Sequence, residues 1–234
     1  MSYISENVDR LTERIREVCL KAGRRPEDVS VVAVTKTVPP ERIQEAVDAG
    51  IMLFGENRVQ EAASKMDSVS GDIRWHMVGH LQRNKVKRAV AMFDMIQSVD
   101  SYELAFEIDR RCGEIGKTMD VLVEVNTSAE STKFGVAPEE TIDLIGRISH
   151  LDNVAVRGLM TIGAFTADEG VVRNCFKTLR QLAGRALEAT ISGVEMRFLS
   201  MGMTSDFEMA IEEGSNMVRI GTAIFGARQA RRAS

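Results

Sequence analysis

Short apolar runs alternate with longer stretches of helical periodicity from one end of the chain to the other. VSVVAVT (29–35), IMLFG (51–55), RWHMVG (74–79), MIQSV (95–99), VLVEVN (121–126), AVRGLMTI (155–162), MRFLSM (196–201) and MVRIG (217–221) read as strands. Segments 40–49, 56–68, 81–92, 101–115, 138–150, 168–190 and 204–213 carry polar and apolar residues at helical spacing. An opening helix over about 3–22 precedes the first strand, and a last one begins near Thr222.

Strands separated by helices imply βαβ units and a parallel sheet. Helices then cover both faces of the sheet, which explains why VLVEV is apolar almost throughout rather than strictly alternating. Eight such units are the count of a (β/α)₈ TIM-type barrel, here with an extra N-terminal helix, and residues 1–234 are expected to form one such domain. A doubly wound open sheet is the competing arrangement. Its glycine-rich GxGxxG turn is missing, and the first strand runs into TKTVPP instead.

Barrel active sites lie at the C-terminal ends of the strands, and those ends hold the polar residues. Strand 1 ends at Lys36, and strand 2 runs into Gly55, Glu56, Asn57 and Arg58. Strand 3 leads to Gly79 and His80, strand 5 to Asn126, Thr127 and then Lys133, and strand 6 to Thr161. Strand 7 ends in Ser200, Met201, Gly202, Met203 and Thr204, and strand 8 carries Arg219 before Gly221 and Thr222. The loops after strands 7 and 8 of such barrels often hold a phosphate on backbone N–H groups. SMGMTSD and IGTA suit that task, although Thr204, Ser205 and Asp206 also suit plain helix capping. Lys36 is either a rim lysine with its amine in water or a nucleophile. Desolvation or a neighbouring cation such as Arg219 would free its amine to condense with an aldehyde. An amine beside a phosphate cradle suits a phosphorylated aldehyde, of which pyridoxal phosphate is the obvious example.

Composition narrows the setting. A net charge of −4 gives no global case for nucleic acid or an anionic membrane. The three cysteines, Cys19, Cys112 and Cys175, form no CxxC pair, which fits a reducing compartment. No apolar run approaches a membrane span, and the acidic, amphipathic N-terminus is no targeting signal. A cytoplasmic protein is expected.

The set VAVTK (32–36), FGENRVQE (54–61), WHMVGHLQRNK (75–85), VEVNTSAESTKFG (123–135), GLMTIG (158–163) and LSMGMTSDFEMAIEEGSNMVRIGTAIFG (199–226) resembles the pyridoxal phosphate homeostasis protein family over nearly the whole chain. The resemblance implies a fold similar to the N-terminal barrel of alanine racemase. It also implies pyridoxal 5′-phosphate held as a Schiff base, and a role in vitamin B6 and amino-acid homeostasis without established turnover. By the same resemblance Lys36 is the Schiff-base lysine and Asn57 lines the pocket. Ser200, Gly202, Gly221 and Thr222 form the phosphate cradle, and Arg219 faces the pyridine nitrogen.

An arginine cannot give up its proton. Opposite the pyridine nitrogen it keeps that atom unprotonated and makes the ring a poor electron sink. Racemases of this barrel class tolerate such an arginine because a second domain brings a tyrosine base. The present chain ends in ARQARRAS soon after Gly221, with no room for that domain, and its only tyrosines, Tyr3 and Tyr102, open predicted helices. The expectation is therefore a monomeric carrier of the cofactor rather than an enzyme, with the apo forms of pyridoxal-phosphate enzymes as recipients. The alternatives are a small racemase-like enzyme and an interaction module that takes the cofactor as a regulatory ligand.

Several other features read as structural. His76 and His80 have a metal-like spacing but sit on a strand and in a loop, without the Glu of HExxH. RNKVKRA (83–89) reads as a solvated helix face and ARQARR as a frayed tail, with no interleaved aromatics to stack on nucleic-acid bases. The thirteen methionines read as core filler. Lys133 is a solvent lysine or a second anchor for an anionic aldehyde.

Overall fold

The computed structural model describes residues 2–130 and 132–227. Within them the strands close into an eight-stranded parallel barrel in chain order, with β8 pairing back onto β1. The strands are β1 (Ser30–Val34), β2 (Leu53–Glu56), β3 (Arg74–Met77), β4 (Met95–Val99), β5 (Met119–Glu124), β6 (Val154–Met160), β7 (Phe198–Ser200) and β8 (Met217–Ile220). The helices are α1 (Tyr3–Lys21), α2 (Pro40–Asp48), α3 (Val59–Ala63), α4 (Val86–Met92), α5 (Tyr102–Glu114), α6 (Thr141–Ile148), α7 (Glu169–Glu188), α8 (Phe207–Glu212) and α9 (Thr222–Phe225). The closed barrel, rather than the open sheet, is the arrangement formed.

Side-chain alternation along the strands builds two apolar layers. Val32, Met95, Leu122, Met160 and Met217 meet inside the barrel. The intervening residues, among them Ala33, Phe54, Ile96, Val121, Leu159 and Val218, pack outward against the helices. The opening helix α1 is capped by Ser2, whose side chain accepts from the amide of Ser5. Its stripe of Ile4, Val8, Leu11, Ile15 and Val18 is buried, and it contacts α2, α8 and α9. On that helix, Asn7 donates through Nδ2 to the Ile224 carbonyl at 2.9 Å.

Between β5 and β6 the register slips by one residue, so that Val121 faces Val156 and Leu122 faces Gly158. Gly158 is required there, because a Cβ would lie 1.9 Å from the Phe198 carbonyl oxygen on β7.

Helices expected as single runs are shorter. Segment 56–68 contains only α3 and a 3₁₀ turn at Met66–Ser68, because Glu56 completes β2 and Lys65 leaves helical backbone at φ −135°. Segments 81–92 and 138–150 each open with a 3₁₀ turn, at Arg83–Lys85 and Pro138–Glu140. Segment 204–213 is helical only from Phe207 to Glu212. The strand expected over 196–201 is reduced to Phe198–Ser200. Cys19, Cys112 and Cys175 are buried and unbridged. No helix among the described residues is long and apolar enough to cross a membrane. Apart from Ala227, the ARQARR tail lies outside the described residues.

Candidate functional site

The alternation that puts Val32 inside the barrel carries on past β1, so Lys36 sits on the lumen-facing phase of that strand, half-buried at its C-terminal end. Thr35 points the other way, fully buried, with its hydroxyl on the Gly55 carbonyl and on Glu56. By the same phase Leu53 and Gly55 face inward on β2, and Asn57 comes next on that phase, half-buried, at the mouth. Strands β7, β8, β1 and β2 are consecutive neighbours. The structure therefore brings Gly202, Gly221, Thr222, Lys36 and Asn57 to one sector of the mouth, with Ser200 and Arg219 buried on the same strands beneath it. A Cβ on Gly221 would lie 3.5 Å from the Val34 carbonyl oxygen, so the β8 loop touches the strand that carries Lys36.

Arg219 is the charge at the centre of that sector, 5 % exposed. Its Nη1 donates to the Ser200 carbonyl at 2.8 Å and to the Ser200 hydroxyl at 2.7 Å, and its Nη2 donates to the Thr161 carbonyl at 2.7 Å. The Ser200 hydroxyl in turn donates to Gln97 Oε1 at 2.6 Å, and Gln97 Nε2 lies 2.8 Å from His76 Nδ1. A continuous polar chain thus crosses the lumen below the mouth. Burial lowers the Arg219 guanidinium to about 10, with Glu124 and Asp206 opposing, so it remains a cation at neutral pH. Burial likewise holds the His76 imidazole neutral, down at about 4.

The loops after β7 and β8 are tied to each other. Gly202 adopts φ +93°, and the Thr204 hydroxyl accepts from the Ala223 amide in the first turn of α9 at 3.4 Å. Asp206 does not cap α8 through its side chain; its carboxylate accepts from the Met203 amide and tightens the β7 loop. The N-cap position of α9 is Gly221, with no side-chain cap; Ala223 donates to Thr204 and Ile224 to the Gly221 carbonyl, which among the described residues leaves the Thr222 amide for a ligand. Ser200 differs from the rest of the proposed cradle. It is fully buried, and its hydroxyl is engaged by Arg219 and Gln97 below the loops.

Three residues of this region lay outside the expected site. Glu124 ends β5 two residues after the lumen residue Leu122 and is 3 % exposed. Burial and the neighbouring Asp100 push its carboxyl up to about 7, with Arg219 opposing. Gln97 and Thr161 hold the arginine assembly in place. Glu124 and Gln97 had a visible signal, a polar residue inside an apolar run, the same anomaly that marks Lys36.

Lys133 is not free at the rim: its Nζ bonds Glu130 at 2.7 Å and the Gly163 carbonyl at 2.5 Å. His80 stacks on Phe134 with ring centroids 3.7 Å apart, while His76 lies in the lumen. Tyr102 packs its ring under Arg147, 4.5 Å from the guanidinium carbon, and Tyr3 opens α1. Tyr102 follows the end of β4 by three residues, but its ring is taken up by the Arg147 contact.

The donor set fits a phosphorylated aldehyde: a primary amine on a flexible stem, a helix-start amide at Thr222, and a fixed cation whose Nε is not used by the described residues. A barrel with this arrangement belongs to the class typified by the alanine racemase N-terminal domain, a family that matches residues 7–229. The pyridoxal phosphate homeostasis protein of Aquifex aeolicus is 42 % identical over 225 residues, covering 96 % of this chain and 98 % of that protein. The structure of PipY from Synechococcus elongatus with pyridoxal phosphate bound superposes with a TM-score of 0.81 at 35 % identity, over 92 % of this chain and 99 % of that one. An unknown protein from Bifidobacterium adolescentis gives a TM-score of 0.92 at 40 % identity, over 95 % and 94 % of the two chains. The chain belongs to the pyridoxal phosphate homeostasis protein family.

Proposed function

We propose that this chain binds pyridoxal 5′-phosphate, holds its aldehyde covalently on Lys36, and acts as a carrier in B6 homeostasis rather than as a catalyst. The observation that carries the reading is the juxtaposition of the inward-phased Lys36 with the Gly221 turn, its unclaimed Thr222 amide, and the buried Arg219 on the adjoining strand. When bound, the cofactor supplies an aldehyde and a ring that can take up electrons. Lys36 contributes the amine, and the β7 and β8 loops receive the phosphate through Gly202, Gly221 and Thr222. Ser200 supports this site from beneath by fixing Arg219. Arg219 stays protonated and so donates toward the ring nitrogen, and Asn57 closes the β2 side.

Two features favour a carrier over a racemase-like enzyme. A permanently protonated arginine keeps the ring a weak electron sink. Of the two tyrosines, Tyr102 holds its ring against Arg147 of α6 and Tyr3 opens α1, so neither is proposed as a second base. The carrier is proposed to work as a monomer and to deliver its cofactor to apo-enzymes that need it.

The test is the visible spectrum of the protein with pyridoxal phosphate, then borohydride reduction and peptide mapping. A reduced adduct on Lys36, absent in Lys36→Ala, is expected. Adducts scattered over surface lysines would remove the reading. Loss of the α-proton of an added amino acid to deuterated solvent, at a rate well above that of free cofactor, would turn the carrier into an enzyme.

A further inference from the structure

Lys36 lies in a turn, Thr35 to Val38, that is gripped from outside the barrel wall. The grip is a buried charged cluster that does not enter the mouth. Lys65, just beyond α3, is 4 % exposed, and its Nζ donates to the Thr35 carbonyl at 2.7 Å and to the Val38 carbonyl at 3.4 Å. The same ammonium pairs with Glu56 at 2.5 Å and with Glu61 at 3.2 Å. Glu56, fully buried, accepts from the Thr35 hydroxyl, and Glu61 accepts from the Thr37 amide. Every residue of the turn except Lys36 is thereby held by one of these three side chains.

The turn needs holding. Thr37 adopts φ +63°, a left-handed conformation that a β-branched residue avoids unless its surroundings impose it. Stability alone is a weak reason for such a cluster, since apolar packing of the same volume often does as well as a buried ion pair. The one residue left free by the grip is the one whose amine must reach a ligand.

We propose that Lys65, with Glu56 and Glu61, is a positioning device for Lys36, setting the direction of its amine into the mouth by fixing the turn from behind. The proposal rests on Lys36 being the residue that bonds the aldehyde. It predicts a selective effect. Pyridoxamine 5′-phosphate has the same ring and phosphate but no aldehyde, so it uses the cradle without using Lys36.

The experiment compares both ligands by fluorescence titration in the parent, Lys65→Met and Glu61→Ala. Borohydride trapping reports on the Lys36 bond. Lys65→Met should weaken pyridoxal phosphate about tenfold and slow trapping on Lys36, because misdirecting a reacting group is costly. Pyridoxamine phosphate should stay within about twofold of the parent. Glu61→Ala, at a partly exposed position that tolerates truncation, should act in the same direction by roughly threefold, and it decides the matter if Lys65→Met does not fold. Equal weakening of both ligands, or no change in either, overturns the proposal. A parent protein that forms no adduct on Lys36 fails at the first step; it overturns the carrier reading and this role together, before any variant is measured.

Discussion

Arg219 on β8 holds Ser200 on β7 twice, through the hydroxyl at 2.7 Å and the carbonyl at 2.8 Å. Because the hydroxyl also donates to Gln97, the serine links the two side chains inside the lumen. Ser200→Ala deletes a buried partner of both residues while leaving the arginine its two carbonyl acceptors. The unpaired Gln97 oxygen should reduce stability by about 1–3 kcal/mol, read as a lower urea midpoint at unchanged m-value. Affinity for pyridoxal phosphate should fall only about threefold, since the arginine keeps its place. A loss of affinity as large as that of Lys36→Ala, with stability intact, would put the hydroxyl on the phosphate after all.

The polarity pattern carries most of this architecture. VSVVAVTK shows a strand, its outward Thr35 and its inward Lys36 in one phase, because side-chain direction in a strand depends only on the count of residues. The same counting puts Arg219 and Glu124 in the lumen. Two things are not written locally. Ser200 meets Gln97 from more than a hundred positions away, so its engagement depends on barrel closure and not on SMGM itself. Lys65 sits in a stretch whose spacing looks helical, and nothing in RVQEAASKM separates a buried lysine from a solvated one. Only the approach of the Thr35 carbonyl makes that distinction.

At Gly158 the barrel admits no side chain. A Cβ would stand 1.9 Å from a backbone oxygen of β7, which cannot rotate away, so β6 and β7 would have to separate. Gly158→Ala should lose about 4 kcal/mol or more, enough to leave much of the protein unfolded in a urea titration. A variant within about 1 kcal/mol of the parent would contradict the close approach of β6 and β7 at Gly158 and Phe198.

Gly202 joins two constraints, a left-handed φ of +93° and a Cβ position 2.5 Å from the Ala210 Cβ. Gly202→Ala should push α8 away from the β7 loop at a cost of about 1–3 kcal/mol. It should also weaken both pyridoxal phosphate and pyridoxamine phosphate, since it disturbs the cradle they share. Adding Ala210→Gly removes the closest contact but leaves the Phe207 Cα at 3.0 Å and the dihedral strain, so the double variant should recover part of the affinity and not all of it. Full recovery would mean that the dihedral and the Phe207 contact are immaterial; no recovery would mean that the Ala210 contact is.

Glu124 and His76 give the fold opposite responses to pH. The Glu124 carboxyl is pushed up to about 7, chiefly by burial and then by Asp100. Between the ordinary carboxylate range and 7 the folded protein keeps a proton that the unfolded chain has lost, so stability falls as pH rises through that interval, by roughly 3 kcal/mol in all. The His76 imidazole is pushed down to about 4, chiefly by burial and then by Arg74. Its contribution is intact above the ordinary imidazole range and is lost as pH falls through about 4. Where the two intervals overlap the slopes oppose each other, which puts the stability maximum on the mildly acidic side of neutrality. Glu124→Gln keeps the shape of the side chain without the titration. In the variant the histidine slope should stand unopposed, so that stability rises across the overlap and no longer falls toward neutrality. Urea unfolding from about pH 4 to about pH 8 reads both intervals. Parallel curves for parent and variant across the overlap would show that the carboxyl is already ionised there in the folded protein, and that Arg219 neutralises it more fully than burial opposes it.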